Sequence, residues 1–117
     1  MLDTSPLNAA VERFADRLRA APQSRLQQGA AAAALELARE LSVRAQRLEA
    51  PGAPEREMPD AGIFVVGDQV AVAGLDLVEA LRGAADGPGA PDGAKAPSEV
   101  LDEAVRLVER AEVRAMR

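Results

Sequence analysis

The sequence predicts an all-α protein, an antiparallel bundle of about four helices with a flexible Gly/Pro-rich loop before the last. Three observations predict it. Apolar residues recur at helical spacing in four separate segments. Stretches bearing proline and glycine divide those segments from one another. Phe14 and Phe64 are the only aromatic residues, so the interior must be built of Leu, Val, Ile and Ala. Of these, leucine and alanine favour helix.

The first helix is expected over residues 6–21. Ser5 is its expected cap, and Pro6 suits the first helical position, where its missing N–H is not needed. Leu7, Val11, Phe14 and Leu18 follow a 4-3-4 spacing and so share one stripe. Pro22 ends the segment.

A second helix is expected over residues 24–49. Ser24 and Gln27 have capping-box spacing. Its first half is nearly all alanine, which lets a neighbouring helix approach closely. Its second half carries Leu37, Leu41 and Leu48, with Ala34 and Ala45, on one face. Glu36 with Arg39, and Glu40 with Arg44, are spaced for surface ion pairs. Residues 50–60 read as a connection, with Met58 tucked against the bundle.

The third segment, residues 61–84, admits two readings. As a helix capped by Asp60, it aligns Ile63, Val66, Val70, Ala73, Leu77 and Leu81, and Phe64, Ala71, Leu75 and Val78 widen the arc. As a hairpin, residues 63–66 and 70–72 would be strands about Gly67-Asp68-Gln69, and glycines inside a helix keep that reading open. The helix is preferred, because the period continues unbroken to Leu81 and a lone hairpin is marginal. An arc this wide marks either the central helix or one facing a second subunit.

A flexible loop is expected over 85–97. The last helix, 98–116, begins at Ser98 with Glu99 in its first turn, and aligns Val100, Ala104, Leu107 and Ala111, with Leu101 and Val108 beside them. The 117 residues fit one domain, 1–117, able to bury roughly two thirds of the surface of the unfolded chain.

Composition excludes several classes of chemistry. Cysteine, histidine, tryptophan and tyrosine are absent, and Lys95 is the only lysine. Disulfides, zinc–thiolate sites and thiol nucleophiles are therefore ruled out. Acid–base work would fall to carboxylates and arginines. The net charge of −5 opposes nucleic acid and anionic lipid as partners. No signal peptide is expected at the N-terminus, and the acids within 61–81 argue against a membrane span, so the cytoplasm is the expected location.

The candidate sites each have a plainer reading. Glu36 with Glu40, and Asp76 with Glu79, lie one turn apart, a spacing that can chelate a metal, but bundle di-metal sites use Glu-x-x-His and there is no histidine. A solvated face with Arg partners is preferred. Asp68 and Asp76 interrupt an apolar helix and are candidate polar contacts with a ligand or partner, or else its solvent strip. Arg106, Arg110, Arg114 and Arg117 recur at helical spacing but are mixed with acids, with no aromatic beside them to stack on bases. Gly67 and Gly74, one heptad apart, mark a close helix contact within the chain or with a second copy.

The run Gly67-Asp68-Gln69-Val70-Ala71-Val72-Ala73-Gly74-Leu75-Asp76-Leu77-Val78-Glu79-Ala80-Leu81 is similar to segments of small helical actinobacterial proteins of uncharacterised role, in keeping with an Ala-, Arg- and Gly-rich composition. The resemblance covers this segment alone and implies no activity.

The functional expectation is a non-enzymatic interaction or regulatory protein that binds a protein partner or a second copy, as a homodimer. Ile63, Phe64, Gly67, Val70, Gly74, Leu77 and Leu81 are its candidate interface; no cofactor, metal or catalytic residue is expected. The alternatives are a small helical enzyme or ligand-binding bundle using arginines and carboxylates, and a DNA-associated regulator using Arg13, Arg17 and Arg19 with the last helix.

Overall fold

The computed structural model describes residues 2–87 and 95–117, and these form an all-α bundle with one apolar core. The chain order is α1 (Ser5–Ala20), a single turn α2 (Gln23–Arg25), a wide π-type turn (Leu26–Ala30), α3 (Ala31–Glu49), α4 (Val66–Asp86) and α5 (Pro97–Met116). The four long helices are those read from the periodicity.

In α1 the predicted stripe is the buried one: Leu7, Val11, Phe14 and Leu18 all lie in the core. The cap differs. Ser5 is already helical, and its N–H donates to Asp3 Oδ1 at 3.0 Å. Hydrogen bonding from the Ser5 side chain, and then from its backbone, holds the Asp3 carboxyl below its ordinary range. Thr4 occupies the cap position, yet its hydroxyl accepts from Arg82 Nη2 of α4 at 3.1 Å instead of closing its own helix.

The second helix does not begin at Ser24. Ser24 is exposed inside the single turn α2 and makes no capping bond. The chain then turns at Gly29, whose φ of 133° lies where side chains are disfavoured, and α3 starts only at Ala31. Carrying a regular helix through Gly29 would have cost about 1 kcal/mol relative to alanine. Beyond the bend, Ala34, Leu37, Leu41 and Ala45 are buried and Leu48 is half-buried.

The third helix also starts later than expected. Gly62, at φ 101°, and the turn at residues 63–65 precede it, so Ile63 and Phe64 are not helical, and no strand forms among the described residues. Asp60 does not cap α4; its Oδ1 accepts from Gly62 N–H at 2.9 Å and shapes the turn. The C-terminal end runs past the expected position to Asp86. The loop expected over 85–97 therefore starts later, and its residues 88–94 lie outside the described ones. In α5 the expected cap Ser98 sits inside the helix, behind Pro97 in the first turn. Leu107 is only half-buried, while Val100, Leu101, Ala104, Val108, Ala111 and Ala115 face the core.

One helix direction departs from the expected antiparallel scheme. α1 and α4 are antiparallel: Gly67 lies near Ala15 and Leu18, Gly74 near Val11, and Arg82 reaches Thr4. α3 and α5 are antiparallel too, with Arg44 bonded to Glu103 and Arg114 near Glu36. α3 and α4, however, run parallel. Leu35 shares a groove with Val66 near their N-terminal ends, and Gln46 shares one with Asp76 further along.

A parallel pair needs a long crossover, and residues 50–65 supply it as an extended strap running back along α3. Arg47 pairs with Glu55 at 2.6 Å. The Gln46 amide donates to Arg56 C=O at 2.9 Å and accepts from Arg56 N–H at 2.8 Å. Arg39 donates to Met58 C=O at 2.8 Å, and Gln69 of α4 donates to Pro59 C=O at 2.9 Å. Met58 and Ile63 pack against the core, as expected for Met58.

Candidate interaction surface

The charged side chains most prominent in the sequence are largely paired within the molecule. Arg13 and Arg17 stand one turn apart on α1. They close on Glu112 of α5, with Nε and Nη1 donating to its two oxygens at 3.1 Å each. Glu112 is 7% exposed, the one buried carboxylate among the described residues. Its spacing of four and eight residues from Val108 and Ala104 puts it on the core stripe, and that is the signal that would have found it.

Arg19 donates twice to Asp68 of α4, at 2.7 and 3.0 Å, and once to Asp16 at 3.2 Å; its bonds to Asp68 lead the causes that raise the Arg19 pKa. Arg44 bridges Glu40 at 3.0 Å and Glu103 at 3.2 Å. Lys95 also bonds Glu103, and it leads Arg44 in holding that carboxyl below its ordinary range. The expected Glu36–Arg39 pair does not form. Arg39 turns to the strap and Glu57, and Glu36 lies 3.6 Å from Arg114. Arg25 donates to the Arg117 carbonyl.

Most of the candidate interface is interior. Val70, Leu77 and Leu81 are fully buried in the chain's own core. Gly67 and Gly74 face α1, where a Cβ on Gly74 would come within 2.5 Å of Val11 Cγ1. The glycines thus mark a contact within the chain, and Ile63 is half-buried. Of the seven candidates only Phe64 is exposed, at 74%.

The apolar surface that remains outside is narrower, and it shares a region. Among the described residues the large exposed apolar side chains are Phe64, Val65 (38%), Val72 (55%), Leu75 (55%) and, elsewhere, Val113 of α5. Four of these five fall between the turn before α4 and its middle. On α4, Asp68, Val72, Leu75, Glu79 and Arg82 follow i, i+4, i+3, i+4, i+3 and form the solvent-facing stripe, with Asp76 at its edge. Asp86 continues it one turn later. Asp68 takes its contact from Arg19, whereas Asp76, Glu79 and Asp86 take part in none of the ion pairs among the described residues.

Open grooves flank the strap, and one, bounded by Ala32, Leu35, Glu36, Arg39, Val43 and Glu57, is crossed by the Arg39–Glu57 pair; another lies away from the strap, between residues 2–5 and Arg82, Ala85 and Asp86 of α4. Among the described residues no three acids gather where a metal ion would be held, and no helix is long and apolar enough to cross a membrane. No family model, curated protein or solved structure matches the chain.

Proposed function

We propose that the protein is a non-enzymatic helical interaction module that binds another protein through the outer stripe of α4. One observation carries this reading: among the described residues, four of the five large exposed apolar side chains, Phe64, Val65, Val72 and Leu75, lie in the turn before α4 and along its solvent face. Leaving them in water forgoes the stabilisation that burial would bring, about 25 cal/mol per Å² covered, and a rimmed apolar patch of this kind is characteristic of partner sites. The charged groups an enzyme or a DNA-binding surface would use point the same way. Arg13, Arg17 and Arg19 already hold Glu112, Asp68 and Asp16, so a role for them on phosphate would require those pairs to open.

The test is site-specific photo-crosslinking in cells. A photoreactive side chain placed at Val72 or Leu75 is expected to give a discrete protein adduct. The same side chain at Arg106 or Arg110, exposed on α5, is expected to give none. Adducts of equal yield from both faces, or none from Val72 and Leu75, would refute the proposal.

A further inference from the structure

We infer that the occupant of the α4 stripe is an amphipathic helix of a different protein, apolar along its centre and flanked by lysine or arginine, and not a second copy of this chain. The inference rests on the reading of this stripe as a binding surface and adds the chemistry of the partner.

The first observation is the sign of the rim. Around Val65, Val72 and Leu75 the same face of α4 presents Asp68, Asp76, Glu79 and Asp86 against one cation, Arg82. Arg82 leans toward α1, where it donates to Thr4 Oγ1. Arg19 of α1 is already divided between Asp16 and Asp68. Among the described residues Asp76, Glu79 and Asp86 therefore hold no ion pair, and a helix laid along the rim with basic flanks would pair with them while its apolar face covers Val72 and Leu75.

The second observation is what self-association would do to those charges. A two-fold dimer uses the same patch on both subunits, so residue pairs repeat across the axis. With two copies of α4 antiparallel about the point between Val72 and Leu75, Asp68 meets Glu79 of the other copy. With the two copies parallel, Asp68, Asp76 and Glu79 each meet themselves. The parallel arrangement sets Asp76 and Glu79 against themselves, and like charges juxtaposed at an interface oppose that pairing; the antiparallel one offers Glu79 only Asp68, an acid that Arg19 already holds. The homodimer expected from the sequence therefore conflicts with the charge pattern of the exposed stripe.

The experiment uses two synthetic amphipathic peptides with one leucine stripe, flanked by lysine in one and by glutamate in the other. Binding to the full chain is read by fluorescence anisotropy and located by amide chemical shifts. The lysine-flanked peptide is expected to bind roughly tenfold more tightly, to weaken as salt rises, and to shift amides along 64–79. The double variant Asp76→Lys/Glu79→Lys is expected to reverse the preference, with helicity and unfolding midpoint unchanged because both residues are exposed.

Equal binding of the two peptides at this face would overturn the charge inference and leave the binding surface standing. Binding that maps elsewhere, or no binding of either peptide, would overturn it. A dimer by light scattering that Leu75→Glu dissolves into folded monomers would also overturn it, with the second copy as occupant. Photo-crosslinking from Val72 separates these outcomes from failure of the binding surface itself, because it captures a partner of either charge.

Discussion

Two glycines on one helix give the sharpest test of the packing. Gly74 and Gly83 both lie inside α4, so each loses the same backbone penalty when replaced by alanine, worth up to about 1 kcal/mol. Their surroundings differ. A Cβ on Gly83 meets nothing within 4 Å. A Cβ on Gly74 meets Val11 Cγ1 at 2.5 Å and Cγ2 at 2.8 Å, where ordinary contact begins at 3.4 Å. Val11 is β-branched and 4% exposed, so it cannot swing aside, and its own Cβ stands only 3.1 Å away. Either α1 and α4 part or Val11 leaves its rotamer, at about 1–3 kcal/mol.

Gly83→Ala is therefore expected to stabilise by about 0.5–1 kcal/mol, and Gly74→Ala to destabilise by about 1 kcal/mol after the helix gain is counted. Urea unfolding followed by circular dichroism should separate the two midpoints by about 1 M. Adding Val11→Ala to Gly74→Ala should cost less than the sum of the single changes, with a coupling of about 1 kcal/mol. Equal effects of the two glycine substitutions, or additivity with Val11→Ala, would refute the close α1–α4 approach.

Two further outcomes follow from the charged contacts. Glu112→Ala removes both hydrogen-bond acceptors of Arg13 and Arg17; because the guanidinium side chains are half-exposed and regain water, a loss of about 1–2 kcal/mol is expected in the same assay, and a neutral or stabilising result would refute the clamp. Asp3 and Glu103 have folded pKa values below their ordinary 3.8 and 4.5, so their stabilisation is complete above those values and lost as pH falls through the lower folded ones. Thermal midpoints measured from pH 6 downward should fall across that window, and Lys95→Ala should move the part carried by Glu103 toward 4.5; a midpoint flat across this range, or unaffected by that substitution, would count against these contacts.

How much of this was legible beforehand varied with the range of the interaction involved. The helices of α1 and α5, and the buried face of α4 from Val66 to Leu81, were readable because hydrophobic periodicity is written within a few turns of one segment. Helix starts were less so. Ser5, Ser24, Asp60 and Ser98 all have the chemistry of caps, yet none caps a long helix. Asp3 serves Ser5, Asp60 shapes its own turn, and Gly29 bends the chain after Ser24. The candidate surface was half legible: the wide arc of the third helix was visible, but which part of it stays wet was not, because α1 covers Gly67 and Gly74 and leaves Val72 and Leu75 outside.

By itself, then, the amino-acid order determined an all-α chain with an aliphatic core, four amphipathic segments and no thiol or imidazole chemistry. Only the tertiary structure decided that α3 and α4 run parallel, that residues 50–65 return as a strap, and that Glu112 is held inside by Arg13 and Arg17. The reason is physical. Periodicity and propensity act between residues a turn apart, whereas the strap is held chiefly by side chains bonding distant backbone groups, which leave no pattern in the sequence. The direction of a helix, and the face it keeps for a partner, depend on which neighbours reach it first.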